Sequence, residues 1–206
     1  MAAPSPTPED CRSELLRRLR ERGRATAASE APRVQELVER LERIRPANLL
    51  ADSALLRGVW DLRWSNGRQP YLLAAPWVEN LQVLDPERGR AMNLLRLAGP
   101  LGPAGGIAVQ ARIAVEGPQR VSVRFVRGGW LGPRLGQQRL ELLREVRQSF
   151  PAWLDITVLD DELRVCRGNA GTLFALVRRP DLHLEEMFAD APSSAAVGAP
   201  AASELG

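Results

Sequence analysis

The chain has 206 residues, with 28 basic and 25 acidic side chains and a formal net charge of +3. That length suits one domain with appendages, and the small charge, carried by scattered arginines with no lysine, argues against a nucleic-acid surface. The cysteines Cys11 and Cys166 are too few for a disulfide or metal framework and read as reduced thiols, the lone His183 leaves no catalytic triad, and no apolar run approaches the ~20 residues that span a bilayer.

Taken in order, residues 1–6 are expected to be disordered. Thr7 then caps a helix, with Pro8 at its first position and Asp10 completing a capping box, and Cys11, Leu15, Leu16 and Leu19 form its apolar face up to Gly23. Ser29 is placed to cap a second helix over 30–45, on which Val34, Leu37, Val38, Leu41 and Ile44 recur at helical spacing until Pro46 stops it. Acidic and arginine residues alternate on the polar face, so the pair is expected to pack on its own domain; lying on a membrane is the alternative. Glu9, Asp10 and Glu14 argue against a transit peptide.

From Gly58 the period changes from near four to two, as a strand requires: Trp60, Leu62 and Trp64 alternate with Val59, Asp61 and Arg63. Further strands are expected at 71–74, 81–84 and 90–97, with 85–89 joining the last two and a Gly/Pro loop over 97–106. Residues 107–115 and 121–125 form a hairpin about Gly117-Pro118. The stretch 137–149 reads as a short helix ended by Pro151. Strands at 155–159, 162–167 and 172–178 follow, turned at Asp160-Asp161 and at Gly168-Asn169-Ala170-Gly171. A short amphipathic piece over 184–188 precedes an Ala/Ser/Pro tail, 189–206, too poor in apolar residues to order itself. Hairpin spacing without βαβ alternation predicts a mainly β fold, an antiparallel barrel or sandwich with helices at one end. The domain plan is a helical lead-in over 7–48 and a β domain over 55–188.

Leu159, Asp160, Glu162, Leu163, Arg164, Val165, Arg167, Gly168, Gly171, Phe174 and Leu176 resemble the C-terminal motif of the plastid lipid-associated protein (PAP)/fibrillin family. Val158, Cys166 and Asn169 depart mildly from it. The run 55–64, the pair Gln82 and Asn93, and the helical lead-in extend the similarity over roughly residues 12–179. The resemblance implies a lipocalin-like antiparallel barrel of about eight strands. Gly58-Val59-Trp60 has the Gly-x-Trp form with which lipocalins open their first strand; the arginine that packs over that tryptophan would be Arg178, with Arg167 second.

Trp60, Leu62, Trp64, Val109, Val123, Phe125, Leu163, Val165 and Phe174 are the candidate inward, ligand-lining set. They are apolar and offer nothing to an ionic ligand, which suits a carotenoid, a prenylquinone or an acyl chain; a filled core is equally compatible with the residues alone. Gly58, Gln82, Asn93, Asp160, Glu162, Arg164, Arg167, Gly168, Gly171 and Arg178 are read as structural or rim positions. The carboxylates 160–162, beside Arg164 and Arg167, are read as solvated or ion-paired and not as an acid/base pair. The lone His183 and the carboxylates at 160–162 point to a non-enzymatic protein without metal or cofactor, save a possible bound carotenoid, quinone or lipid. The resemblance implies a cytosolic location at the periphery of a thylakoid membrane or plastoglobule, in a photosynthetic bacterium, with a role in photoprotection or quinone metabolism. The rival is a filled-barrel scaffold that coats lipid or docks onto a lipid-synthesis enzyme.

Overall fold

A computed structural model describes residues 7–21, 30–67, 75–136, 138–169 and 171–188. The expected cap Ser29, the strand over 71–74, the leader 1–6 and the tail 189–206 lie outside them.

Helix α1 (Pro8–Glu21) opens with a reciprocal cap: the Thr7 N–H donates to Asp10 Oδ2 at 2.8 Å and the Asp10 N–H to Thr7 Oγ1 at 3.2 Å. Helix α2 (Ala31–Ile44) pairs with it, and a short helix α3 (Leu49–Asp52) and a 3-10 turn (Ser53–Leu56) lead into the sheet. The strands are β1 (Gly58–Ser65), β2 (Val78–Asp85), β3 (Arg90–Leu97), β4 (Gly106–Val115), β5 (Arg120–Leu135), β6 (Gln138–Glu145), β7 (Ala152–Leu159), β8 (Leu163–Gly168) and β9 (Leu173–Arg178). They run in the order β4-β3-β2-β1-β9-β8-β7-β5-β6, and a β4–β5 pairing closes the ring. The fold is therefore an eight-stranded antiparallel barrel with β6 outside it, paired to the far half of β5. A last helix, α4 (Leu184–Met187), packs on the barrel wall.

Residues 137–149 were expected to be helical, and here β6 is a correction. Its leucines and charged residues favour a helix intrinsically, but the free edge of β5 supplies a ladder of backbone partners and tertiary pairing overrides propensity. Leu140 and Leu142 then share one face, with Arg139 and Glu141 on the other.

Two sectors of the barrel's outside are as dry as its inside. Under α1 and α2, Cys11, Leu15, Leu19, Val34, Leu37, Val38 and Leu41 pack against Trp64, Val158, Leu163, Val165, Leu173 and Ala175. Under α4, Leu184, Met187 and Phe188 pack against Val59, Leu81, Val83, Met92, Leu94, Ala108 and Leu131. The helical pair is thus part of the globule. It is fastened by ion pairs to the β7–β8 corner: Arg12 grips Asp160 with two bonds of 2.7 and 3.0 Å and reaches Glu162 at 3.0 Å, while Arg167 holds Glu42 of α2 at 2.6 and 2.8 Å. Asp160 also accepts from the backbone N–H groups of Glu162 and Leu163. Burial pushes its carboxyl up, but Arg12 and the two N–H groups more than reverse this and hold it below the usual carboxylate range.

Candidate binding site

The barrel floor is built around Trp60, which is fully buried and donates its indole N–H to the Leu56 carbonyl at 3.0 Å. Arg178 lies over the ring at 4.3 Å from its centroid, the geometry of a cation–π contact. Each of its three guanidinium nitrogens donates to a carbonyl: Nη1 to Arg57 at 2.8 Å, Nη2 to Leu55 and Nε to Asp161. Gly58 makes room: at φ +143° a Cβ there would stand 2.5 Å from Arg178 Nη1. Ala47, Leu49 and Leu56 close this end, tied down by Ala47 N–H to Thr157 O at 2.9 Å and Leu49 N–H to Pro118 O at 2.6 Å.

Above the floor the inward faces carry Leu62, Leu84, Ala91, Ala111, Ile113, Val121, Ile156, Cys166 and Leu176, with Val123, Phe125, Leu154 and Phe174 half-buried toward the other end. Val109 faces the same way: it pairs with Asn93 and borders Gly128. Trp60, Leu62, Val109, Val123, Phe125 and Phe174 of the expected lining thus share the lumen. Trp64, Leu163 and Val165 do not, and this corrects the inward set. A bulge between Leu62 and Trp64 spends one residue, Arg63, and turns Trp64 outward beneath the helices. On β8 the apolar parity, Leu163 and Val165, faces the helices, and the parity carrying Arg164 and Cys166 faces the lumen.

Arg164, expected at the rim beside the carboxylates, is instead 0% exposed inside the barrel. One terminal nitrogen donates to Gln82 Oε1, and the guanidinium lies 5.1 Å from the Trp60 ring on which Arg178 also stacks. Its Nε and Nη1 have no hydrogen-bond partner, and among the described residues no carboxylate pairs with it. Burial, with the like charge of Arg178 adding to it, pulls its pKa down to about 10, and burial pushes the neighbouring Cys166 thiol up to about 11. The carboxylates at 160–162 take Arg12 and Arg20 of α1 as partners, not Arg164 or Arg167.

The far end is flared. Rows run across the open side in register: Asn80, Leu95, Ile107, Trp130 and Leu142 form one, and Gln82, Asn93, Val109, Gly128 and Arg144 the next. Asn93 is solvent-exposed although it shares the lumen face of Ala91, so water reaches the position beside Gln82. Ile107 is 56% exposed and Leu142 71%, with Leu97, Leu140 and Val146 also uncovered on this face. Leu95, Ile107, Trp130, Leu140 and Leu142 were not among the expected lining residues. The alternation of Leu140 and Leu142 with Arg139 and Glu141 is the one local pattern that marks β6. A cleft of about 700 Å³ between α2 and the end of β1, lined by Gln35, Glu36, Glu39, Ser65 and Asn66 among others, lies outside the barrel and is rimmed by polar and acidic groups.

The family model PAP_fibrillin matches residues 9–177, which takes in α1 through β9. The chain belongs to the PAP/fibrillin family. The similarity to curated relatives is consistent with this. "Light-induced protein, chloroplastic" of Solanum tuberosum is 27% identical over 205 residues, covering 76% of this chain and 63% of that protein. "Probable plastid-lipid-associated protein 2, chloroplastic" of Arabidopsis thaliana is 24% identical, with 77% and 66% covered. "Chromoplast-specific carotenoid-associated protein C1, chromoplastic" of an Oncidium hybrid cultivar is 26% identical, with 82% and 69% covered. The chain of this PAP/fibrillin protein spans less than two thirds of the potato relative's length. No solved structure gives a significant match. Among the described residues there is no cluster of three or more metal-ligating side chains, and no helix is long and apolar enough to cross a membrane.

Proposed function

We propose that this PAP/fibrillin protein is a non-enzymatic binder of a hydrophobic molecule, an isoprenoid or acyl lipid, which it holds in the barrel while its flared end rests on a lipid surface such as a thylakoid or plastoglobule. The observation that carries the reading is the continuous apolar face running from the half-buried Phe125 and Val109 out to Ile107 and Leu142. Apolar surface of this extent left on a barrel mouth is a binding surface more often than an accident of folding. Cradle and exit are then one surface, along which a chain slides between lumen and lipid without crossing water. The names of the relatives, lipid-associated and carotenoid-associated, support the same chemistry.

The test is mass spectrometry of organic extracts from protein purified out of a photosynthetic host, beside a Phe125→Arg variant. The reading expects about one lipid, quinone or pigment per wild-type chain, lost from a still-folded variant. Empty extracts from both would refute it and leave the barrel as a filled scaffold acting through its outside, on lipid or on a partner enzyme.

A further inference from the structure

From the unpaired guanidinium of Arg164 on the barrel floor, we infer that the lumen's ligand carries an anionic head, a carboxylate on a long apolar chain, and that Arg164 and Gln82 are the residues that hold it. This rests on the reading of the barrel as a hydrophobic-ligand site and names the ligand class for it.

A charge wholly removed from water is costly to retain unless an opposite charge or a full set of acceptors meets it. Two neighbouring charged groups are answered: Arg178 by three carbonyls, and Asp160 by Arg12 and two backbone N–H groups. Arg164, by contrast, is held by one amide oxygen and the ring of Trp60, with Nε and Nη1 free. The surroundings fit an incoming head. Gln82 keeps an amide N–H₂ beside the guanidinium, and the neighbouring lumen positions are small or open to water: Ala91, Ala111 and Asn93. A single neutral carbonyl would satisfy one of the two free nitrogens, whereas a carboxylate offers an acceptor to each and an opposite charge as well, through charge-assisted bonds. The lumen-facing side chains Phe174, Phe125 and Val109 lead from there toward Trp130 and the flared mouth, and we place the ligand's chain along them. The same charge works against a wholly apolar hydrocarbon reaching the floor.

The experiment measures equilibrium binding of labelled oleate and of methyl oleate, its uncharged ester, to the delipidated full chain and to Arg164→Met. The wild type is expected to bind the acid about tenfold or more tightly than the ester, the size of one good charge-assisted pair. In Arg164→Met the two should bind alike. Equal affinities in the wild type would overturn the inference while leaving the lumen reading in place. Binding of neither ligand would overturn both. An acid preference that survives Arg164→Met would put the anchor elsewhere. A second readout does not need the variant: the carboxyl ¹³C resonance of bound [1-¹³C]oleate should titrate well below that of the same acid in detergent, and an unshifted titration would contradict an arginine contact.

Discussion

Replacing Arg164 with methionine should make the ligand-free protein more stable. The guanidinium is fully buried, two of its nitrogens lack partners, and no described carboxylate offsets the charge. Each unsatisfied buried polar group costs about 1–3 kcal/mol. Against this stand the hydrogen bond to Gln82 and the Trp60 ring contact, together about 1–3 kcal/mol. A methionine of similar length keeps most of the packing, and replacing buried charges by apolar groups of like volume has been neutral or stabilising by about 1–4 kcal/mol. We expect a gain of about 1–3 kcal/mol, or roughly 2–12 °C in Tm for a chain of this size. The assay is urea and thermal unfolding of delipidated wild type and variant, followed by circular dichroism. A loss of more than about 1 kcal/mol would show that Arg164 is satisfied in the empty barrel and that its surroundings are not waiting for an anion.

Gly58→Ala should cost at least about 2 kcal/mol, since a Cβ would strike Arg178 and the backbone would be forced into a region side chains rarely adopt; a urea midpoint that does not move would contradict the role given to that arginine. Acid should release the helical pair before the barrel opens. Arg33, hydrogen-bonded to Glu14, leads the effects that hold that carboxyl at about 2, and Asp160 and Glu162 also lie below their usual range, so their stabilisation is complete above the unfolded values of about 4 and is lost as pH falls toward 2. Pepsin cleavage within α1, measured relative to an unstructured peptide of the same sequence at each pH, should therefore rise between about pH 4 and pH 2, and earlier in Arg12→Gln; a pH-independent ratio would count against these pairs. Ile107→Glu combined with Leu142→Glu should abolish co-flotation with lipid vesicles while leaving Tm within about 2 °C, because both side chains are exposed; retained flotation would move the lipid contact to another face.

The fold was legible where local chemistry and global architecture agree. Thr7 and Asp10 cap α1 as their spacing requires, β3 occupies 90–97 because the turn at 85–89 delimits it, and Gly58, Trp60 and Arg178 meet at the barrel floor. What misled was the assumption that the apolar parity of a strand faces the lumen. The helices make part of the outer wall equally dry, so on β8 Leu163 and Val165 turn outward and the charged alternative, Arg164, turns in. Bulges at Arg63 and Thr157 each reverse the alternation partway along a strand, and no single-strand pattern reveals them. The mouth was missed because β6 is held as a strand by its pairing with β5, and the alternation of Leu140 and Leu142 with Arg139 and Glu141 is its one local trace.

A crystal structure of the chain with a bromine-labelled long-chain acid tests the central claim most directly. The account predicts anomalous bromine density inside the barrel between Phe125 and Trp130, with the carboxylate in hydrogen-bond reach of Arg164. Bromine confined to the outer surface, over a lumen filled by the chain's own side chains, would contradict it.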